Sequence, residues 1–277
     1  MSATCLQKRT LTIASFFYVS LFFPAHADPE ICSTAYYDQK VAVANVIDGD
    51  TVALQDGRHI RIIGINTPEK KQKEIPAQPL ANLATRSLRE IISQNDGKLL
   101  LRLGKEPQDH YGRTLAHLFL PNGTNLTARL LREGKGLSIS IPPNLQFQDC
   151  YLAAEDYAHK LKHGVWSHEY FNIRPVSTLS KTDTGFHRVQ GIVSRIGESK
   201  NAFWFNLGKG FAIRLPKNKL SYFSNSPGEF PYQLPNELKD KLITLRGWVY
   251  YVQKRNELRI NLYHPNMIES IQQPIKP

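Results

Sequence analysis

Between Val41 and Ile65, three short apolar segments are separated by Asp48-Gly49 and Asp56-Gly57, and this punctuation narrows the possible folds more than any other feature. Asp-Gly supplies the backbone freedom a tight hairpin needs, so Val41–Val46, Thr51–Leu54 and His59–Ile65 are predicted as a β-meander. A polar, proline-containing stretch follows, Lys70–Pro79. Leu80, Leu83, Ala84, Leu88, Ile91 and Ile92 then recur at helical spacing. Lys98–Leu103 and Thr114–Leu120 read as strands, the second stopped by Pro121-Asn122-Gly123. Leu126–Glu133 reads as a short helix ended by Gly134, and a last helix runs from about Gln148 to Lys162, with Trp166 just beyond Gly164. This order suits the five-stranded Greek-key barrel of the OB-fold.

From Asn172 to Gly185 the sequence is polar, carries Pro175 and several Ser and Thr, and shows no apolar period, so a linker is predicted at 169–185. Beyond it, Arg188–Ile196, Ala202–Leu207, Phe211–Leu215, Leu242–Val252 and Glu257–Tyr263 read as five strands, with a Pro-rich insertion between the third and fourth. That arrangement predicts a second, OB-like barrel. The expected fold class is therefore α+β, mainly β, with a signal segment at 1–27, a first domain at 28–168 and an accessory domain at 186–271.

The signal segment is read from Lys8 and Arg9, the apolar stretch Leu11–Phe23, and Ala25-His26-Ala27 as a cleavage site before Asp28. The alternative is an uncleaved anchor. Cleavage predicts an exported protein, periplasmic or secreted, with no stable membrane association. The formal charge of +11 falls to +9 when Lys8 and Arg9 leave, still an excess that suits a polyanion such as nucleic acid. Nothing in the sequence points to a protein partner. Of three cysteines, Cys5 leaves with the signal. Cys32 and Cys150 remain, and in an oxidising compartment the pair suggests one disulfide, the alternative being two unpaired thiols.

Three pieces carry chemistry. Asp48-Gly49-Asp50-Thr51 puts two carboxylates in a turn, where Asp48 reads as a turn residue. Arg61 opens the run Arg61-Ile62-Ile63-Gly64-Ile65-Asn66-Thr67-Pro68-Glu69, and alternation places its side chain on the face of Ile63 and Ile65. Asn66, Thr67 and Glu69 gather oxygens at the end of that strand, the donors a hard cation such as calcium selects. Asp109-His110-Tyr111-Gly112-Arg113 sets another arginine at the start of a strand. Phosphodiester cleavage needs these parts: a metal to offset charge, a carboxylate to orient water, and guanidinium forks for the phosphoryl oxygens. His110 and His117 have no partners at zinc spacing and read as surface or strand residues.

Over roughly Val41 to Trp166 the chain resembles the staphylococcal nuclease family, in Ile47-Asp48-Gly49-Asp50-Thr51, Arg61 to Glu69, Asp109-x-Tyr-Gly-Arg113, Leu131-Arg132-Glu133-Gly134 and Gly164-Val165-Trp166. The resemblance implies an OB-fold enzyme that cuts DNA and RNA with calcium and leaves 3′-phosphate ends. It implies that Asp50 ligates calcium directly, Thr67 through its carbonyl, and Asn66 from the position of a second ligand. Glu69 would hold the attacking water as general base, Arg61 and Arg113 would clamp the phosphate, and Tyr111 would sit beside the nucleotide. Two positions depart from the pattern. Asn66 stands where the family has an aspartate, and Ser140 falls where its archetype has a nucleotide-stacking tyrosine. The rival reading is a catalytically silent nucleic-acid-binding protein of the same fold. In the second unit, Phe203, Trp204, Phe205, Phe211, Trp248, Tyr250 and Tyr251 are interleaved with Lys200, Lys209, Arg214 and Arg246, a pattern suited to single strands. Phe203 and Phe205 are expected in the core.

Overall fold

The structure, a computed structural model, describes residues 32–71, 76–208, 210–224 and 236–273, so the expected signal segment lies outside the described residues. Strands β1 (Gln39–Val46), β2 (Thr51–Leu54) and β3 (His59–Ile62) form the meander. A short β4 (Ile65–Asn66) and helix α1 (Ala81–Ser93) precede β5 (Lys98–Gln108) and β6 (Thr114–Phe119). Five strands close a barrel in the order β1-β2-β3-β6-β5, with β3 and β6 parallel. Helix α2 (Leu126–Arg132), the two-residue β7 (Leu137–Ser138) and α3 (Gln148–Lys160) complete this unit.

The apolar period of α1 has a direct physical outcome. Ala81, Ala84, Thr85, Leu88, Ile91 and Ile92 are its buried face, and Leu88, Ile91 and Ile92 join the barrel core of Val52, Ile60, Ile62, Leu99, Leu101 and Leu118. The predicted strand His59–Ile65 is shorter than expected. It ends at Ile62 because Gly64 turns the chain at φ 89°, where a side chain would also drive into the Tyr151 ring at 2.3 Å. The expected alternation from Arg61 through Ile63 to Ile65 is therefore broken. His117 lies on β6 and is buried, its Nδ1 2.7 Å from the Tyr151 hydroxyl. Burial, with help from Arg102, pushes its pKa down to about 3, so the ring stays neutral.

Cys32 and Cys150 are joined as a disulfide, with Cα atoms 5.7 Å apart across 118 residues of sequence. Asn125 caps α2 by accepting from the Ala128 N–H, and its amide donates to the Cys32 carbonyl and the Tyr151 hydroxyl.

Residues 169–185, expected as a linker, are partly built into the second unit. Their β8 (Arg174–Pro175) pairs parallel with β9 (Gly185–Ile192). The second unit continues with β10 (Arg195–Glu198), β11 (Ala202–Asn206), β12 (Phe211–Pro216), β13 (Leu242–Val252), β14 (Glu257–Asn261) and β15 (Ile268–Gln272). Its sheet order is β10-β11-β12-β14-β13-β9-β8, with β12 and β14 parallel. The predicted first strand is divided into β9 and β10. Val193 and Ser194 between them donate to the carbonyls of Lys241 and Asn206, so one bent segment pairs β13 at its start and β11 at its end. That repeats the strand order of the first barrel. The final strand β15, absent from the sequence expectation, pairs the first half of β13, where β14 does not reach. Phe205 is fully buried and Phe203 packs partly against the same core.

The units meet through a buried ionic network. Arg246 on β13 donates to both carboxylate oxygens of Glu155 on α3, at 2.6 and 2.8 Å, and to Glu269 at 2.7 Å. Arg188 also pairs with Glu269 at 2.7 Å, and the Arg188 and Arg246 guanidiniums lie over the Trp166 ring at 4.7 and 5.7 Å. Burial opposes the charge on Glu269, but Arg188 and Arg246 outweigh it and hold the carboxyl below its usual range. Arg246, expected among the cations interleaved with aromatics, is instead a buried counter-ion. Removing one member of such a network strands a charge, at a cost of about 3–5 kcal/mol.

Candidate active site

The turn between β1 and β2, the end of β4 and the segment leading to α1 converge on one end of the first barrel. Gly49 permits the convergence: a Cβ there would lie 2.6 Å from the Thr67 hydroxyl and 2.8 Å from Ala84. Asp50 is buried beneath this turn. One of its oxygens accepts from the Thr67 N–H at 2.8 Å and the Thr67 hydroxyl at 3.0 Å, and the same oxygen pairs with Arg61 at 3.1 Å. The other accepts from the Thr51 hydroxyl at 3.2 Å.

Arg61 is held from several sides. Its Nη1 donates to the carbonyls of Ile62 and Ile65 at 2.7 and 2.8 Å, while Nη2 reaches Asp50 and, at 3.4 Å, the Asn66 amide oxygen. The guanidinium is thus fixed by backbone carbonyls that exist because the chain turns at Gly64. Asn66 is buried and paired through β4 to Leu137 on β7, which sets its orientation from outside the motif.

Glu69 stands at the exposed rim. Its backbone N–H donates to the Gln78 side chain at 2.9 Å, and the Gln78 N–H returns a bond to the Glu69 carbonyl at 2.8 Å. Lys70 anchors the same segment by donating to the Ile47 carbonyl. Crowding around the carboxylate raises the Glu69 pKa, with Asp50 and Asp48 adding to the rise and Arg61 and Arg113 opposing it. Asp48, read from sequence as a turn residue, does serve the turn by accepting from the Asp50 N–H at 3.0 Å. It also belongs to the acidic cluster: partial burial and then the Asp50 charge raise its pKa. Its reach to Glu69 and Arg61 has no local signal in the sequence, because both lie on later segments.

The third motif forms the tip between β5 and β6. Asp109 accepts from the backbone N–H groups of Tyr111 and Arg113, and its second oxygen pairs with the Arg113 guanidinium at 2.7 Å. Burial opposes the charge on Asp109, but these bonds to Arg113 and Tyr111 hold its pKa below the usual range. Tyr111 is 74% exposed, with its ring beside Arg113 and stacked obliquely on His110. The structure therefore brings Asp50, Arg61, Asn66 and Thr67 into direct contact, and sets Glu69 and Arg113 within electrostatic reach. Tyr111 stands at the rim.

Among the described residues, no three His, Cys, Asp or Glu side chains converge as a metal site. The oxygens that meet here are of mixed kind: the Asp50 carboxylate and the Asn66 amide, both reaching Arg61, and the Thr67 hydroxyl on Asp50. These are hard donors that suit calcium. Asp50 adds to the rise at both Asp48 and Glu69, so the cluster holds a negative potential of the kind a divalent cation relieves.

The family model described as "Staphylococcal nuclease homologue" matches residues 59–168. The chain is 33% identical over 133 residues to "Thermonuclease" of Staphylococcus hyicus, covering 47% of this chain and 77% of that protein. It is 31% identical over 137 residues to "Thermonuclease" of Staphylococcus intermedius, covering 48% and 80%. "Endonuclease YncB" of Bacillus subtilis (strain 168) is 31% identical over 132 residues, covering 46% and 61%.

Proposed function

We infer that this chain, which belongs to the staphylococcal nuclease family, hydrolyses the phosphodiester bonds of nucleic acid with the help of calcium, leaving 3′-phosphate ends. The observation that carries this reading is the convergence of Asp50, Arg61 and Thr67, in direct contact, with Glu69 at the rim above them. A pure binding protein has no need of a buried carboxylate locked beside an arginine that backbone carbonyls hold in place.

Asp50, the Thr67 carbonyl and the Asn66 amide would hold the ion. When bound, calcium offsets phosphate charge and polarises the scissile group. Glu69, at the rim, accepts the proton of the attacking water as general base. Arg61 donates to phosphate oxygens from a guanidinium already oriented by Ile62 and Ile65, which limits the reorganisation needed during reaction. Arg113 closes the opposite side from the hairpin tip, oriented by Asp109, and Tyr111 lies beside the nucleotide. Export to the periplasm or the medium is part of the same reading, supported by the Cys32–Cys150 bridge.

Asn66 gives a direct test. Asn66→Asp adds a negative charge to the metal shell, so calcium titration of nuclease activity is expected to show a midpoint lower by about tenfold. The maximal rate changes less, because Glu69, Arg61 and Arg113 are untouched. An unchanged midpoint places Asn66 outside the metal shell. A parental protein inactive at every calcium level, but active as Asn66→Asp, means that the chain is a silent binder.

A further inference from the structure

The strand β13 changes environment along one face. Arg246, Trp248 and Tyr250 alternate outward, while Leu245 and Val249 point into the core of the second barrel. Arg246 is covered by Glu155 of the first unit. Two residues on, Trp248 emerges and is 40% exposed, with Phe186 of β9 edge-on to it at 4.9 Å. Two more residues on, Tyr250 is opposite Arg259 of β14 and bonds to Asn261 through its hydroxyl. The row continues across the sheet: Asn261 pairs in register with Arg214 of β12, and Arg214 with Trp204 of β11. The guanidiniums of Arg259 and Arg214 lie 4.5 and 5.9 Å from the Trp204 ring centroid. Arg259 is also paired with Glu257 at 2.7 Å.

This row begins beside the site already described. Ser138 to Ile141 of the first unit and Phe186, Trp248, Tyr263 and Asn266 of the second line one cleft. Ser138 belongs to β7, the strand that pairs with β4 and Asn66. The lining from the first unit, Ser138 to Ile141, has no aromatic ring to stack on a base, and Ile141 is its exposed member. Trp248 faces that cleft from the other side.

We propose that the outer face of the second barrel, from Trp248 across to Trp204, binds the single-stranded stretch of the nucleic acid that the first barrel cleaves. This rests on the nuclease reading above. Half-exposed rings among guanidinium groups are chemically suited to bases and phosphates together: every base has a face to stack, and the cations match the backbone charge. The second unit thereby supplies a stacking ring at this cleft, where the lining from the first unit has none.

The test uses the full chain in chelator, so that no cleavage occurs, with a labelled single strand of about twelve nucleotides read by fluorescence anisotropy at low salt. Trp248→Ala is expected to raise Kd about tenfold, and Trp248→Phe, which keeps a ring, to stay within about threefold of the parent. Arg214→Ala is expected to reduce the slope of log affinity against log salt by about one. Failure of the parent to bind, binding unchanged in Trp248→Ala, or an equal loss in the Ala and Phe variants overturns the proposal. Hydrolysis of a p-nitrophenyl phosphodiester, which carries no strand to lie on the second unit, reads the first barrel separately. It is expected to be the same in parent and Trp248→Ala. A parent that binds the strand but hydrolyses no diester leaves the surface standing and removes the nuclease reading.

Discussion

Arg61→Ala and Arg113→Ala are each expected to lower turnover by about 10²–10³ at saturating calcium, the usual loss when a preorganised transition-state donor is removed. The effect is large because the protein has already ordered these groups. Two carbonyls and Asp50 hold Arg61, and Asp109 holds Arg113, so little reorganisation is left to the reaction step. Arg61→Lys is not a rescue: an ammonium cannot reach the carbonyls of Ile62 and Ile65 and the phosphate in the planar geometry of a guanidinium. Steady-state turnover, with thermal unfolding of each variant as a control for folding, checks the assignment. Near-parental turnover in either alanine variant removes that arginine from the mechanism.

The second large effect concerns stability. Reducing Cys32–Cys150, or replacing both cysteines with alanine, is expected to cost about 4–5 kcal/mol in the chain-entropy account, because the bridge closes a loop of more than one hundred residues. For a chain of this size that corresponds to a melting temperature lower by roughly 10–15 °C. The ordering is local as well, since the buried Cys32 backbone receives the amide of Asn125 at the start of α2. Melting curves with and without reductant, beside intact mass after alkylation, decide the matter. Two alkylated thiols in the unreduced sample, or equal melting temperatures, contradict it.

What was legible in the sequence was local. Asp-Gly pairs, helical spacing from Leu80 to Ile92 and the stop at Gly134 each follow from the conformational needs of a few adjacent residues, and the first barrel has those elements. The site motifs were readable for the same reason: each sits in one turn or strand end. What escaped depends on partners far along the chain. Asp48 acts on Glu69, 21 positions along the chain, only because the fold brings the two together, although its own carboxylate neighbour Asp50 is local. Arg246 looks like a solvent-facing cation on a strand until Glu155, 91 residues away, covers it. Gln78 reads as a loop residue, yet it clamps the backbone of Glu69. The strand β15 lacks a clear period because its residues are only half-buried along an edge.

The central claim is that the first barrel cuts nucleic acid with calcium. Its most direct measurement is release of acid-soluble nucleotides from DNA and RNA by the purified chain from residue 28 onward, with calcium and then with chelator. The account predicts release with calcium, abolished by chelator and restored when calcium is returned in excess. No release from either polymer at any calcium concentration, or release undiminished in chelator, contradicts it.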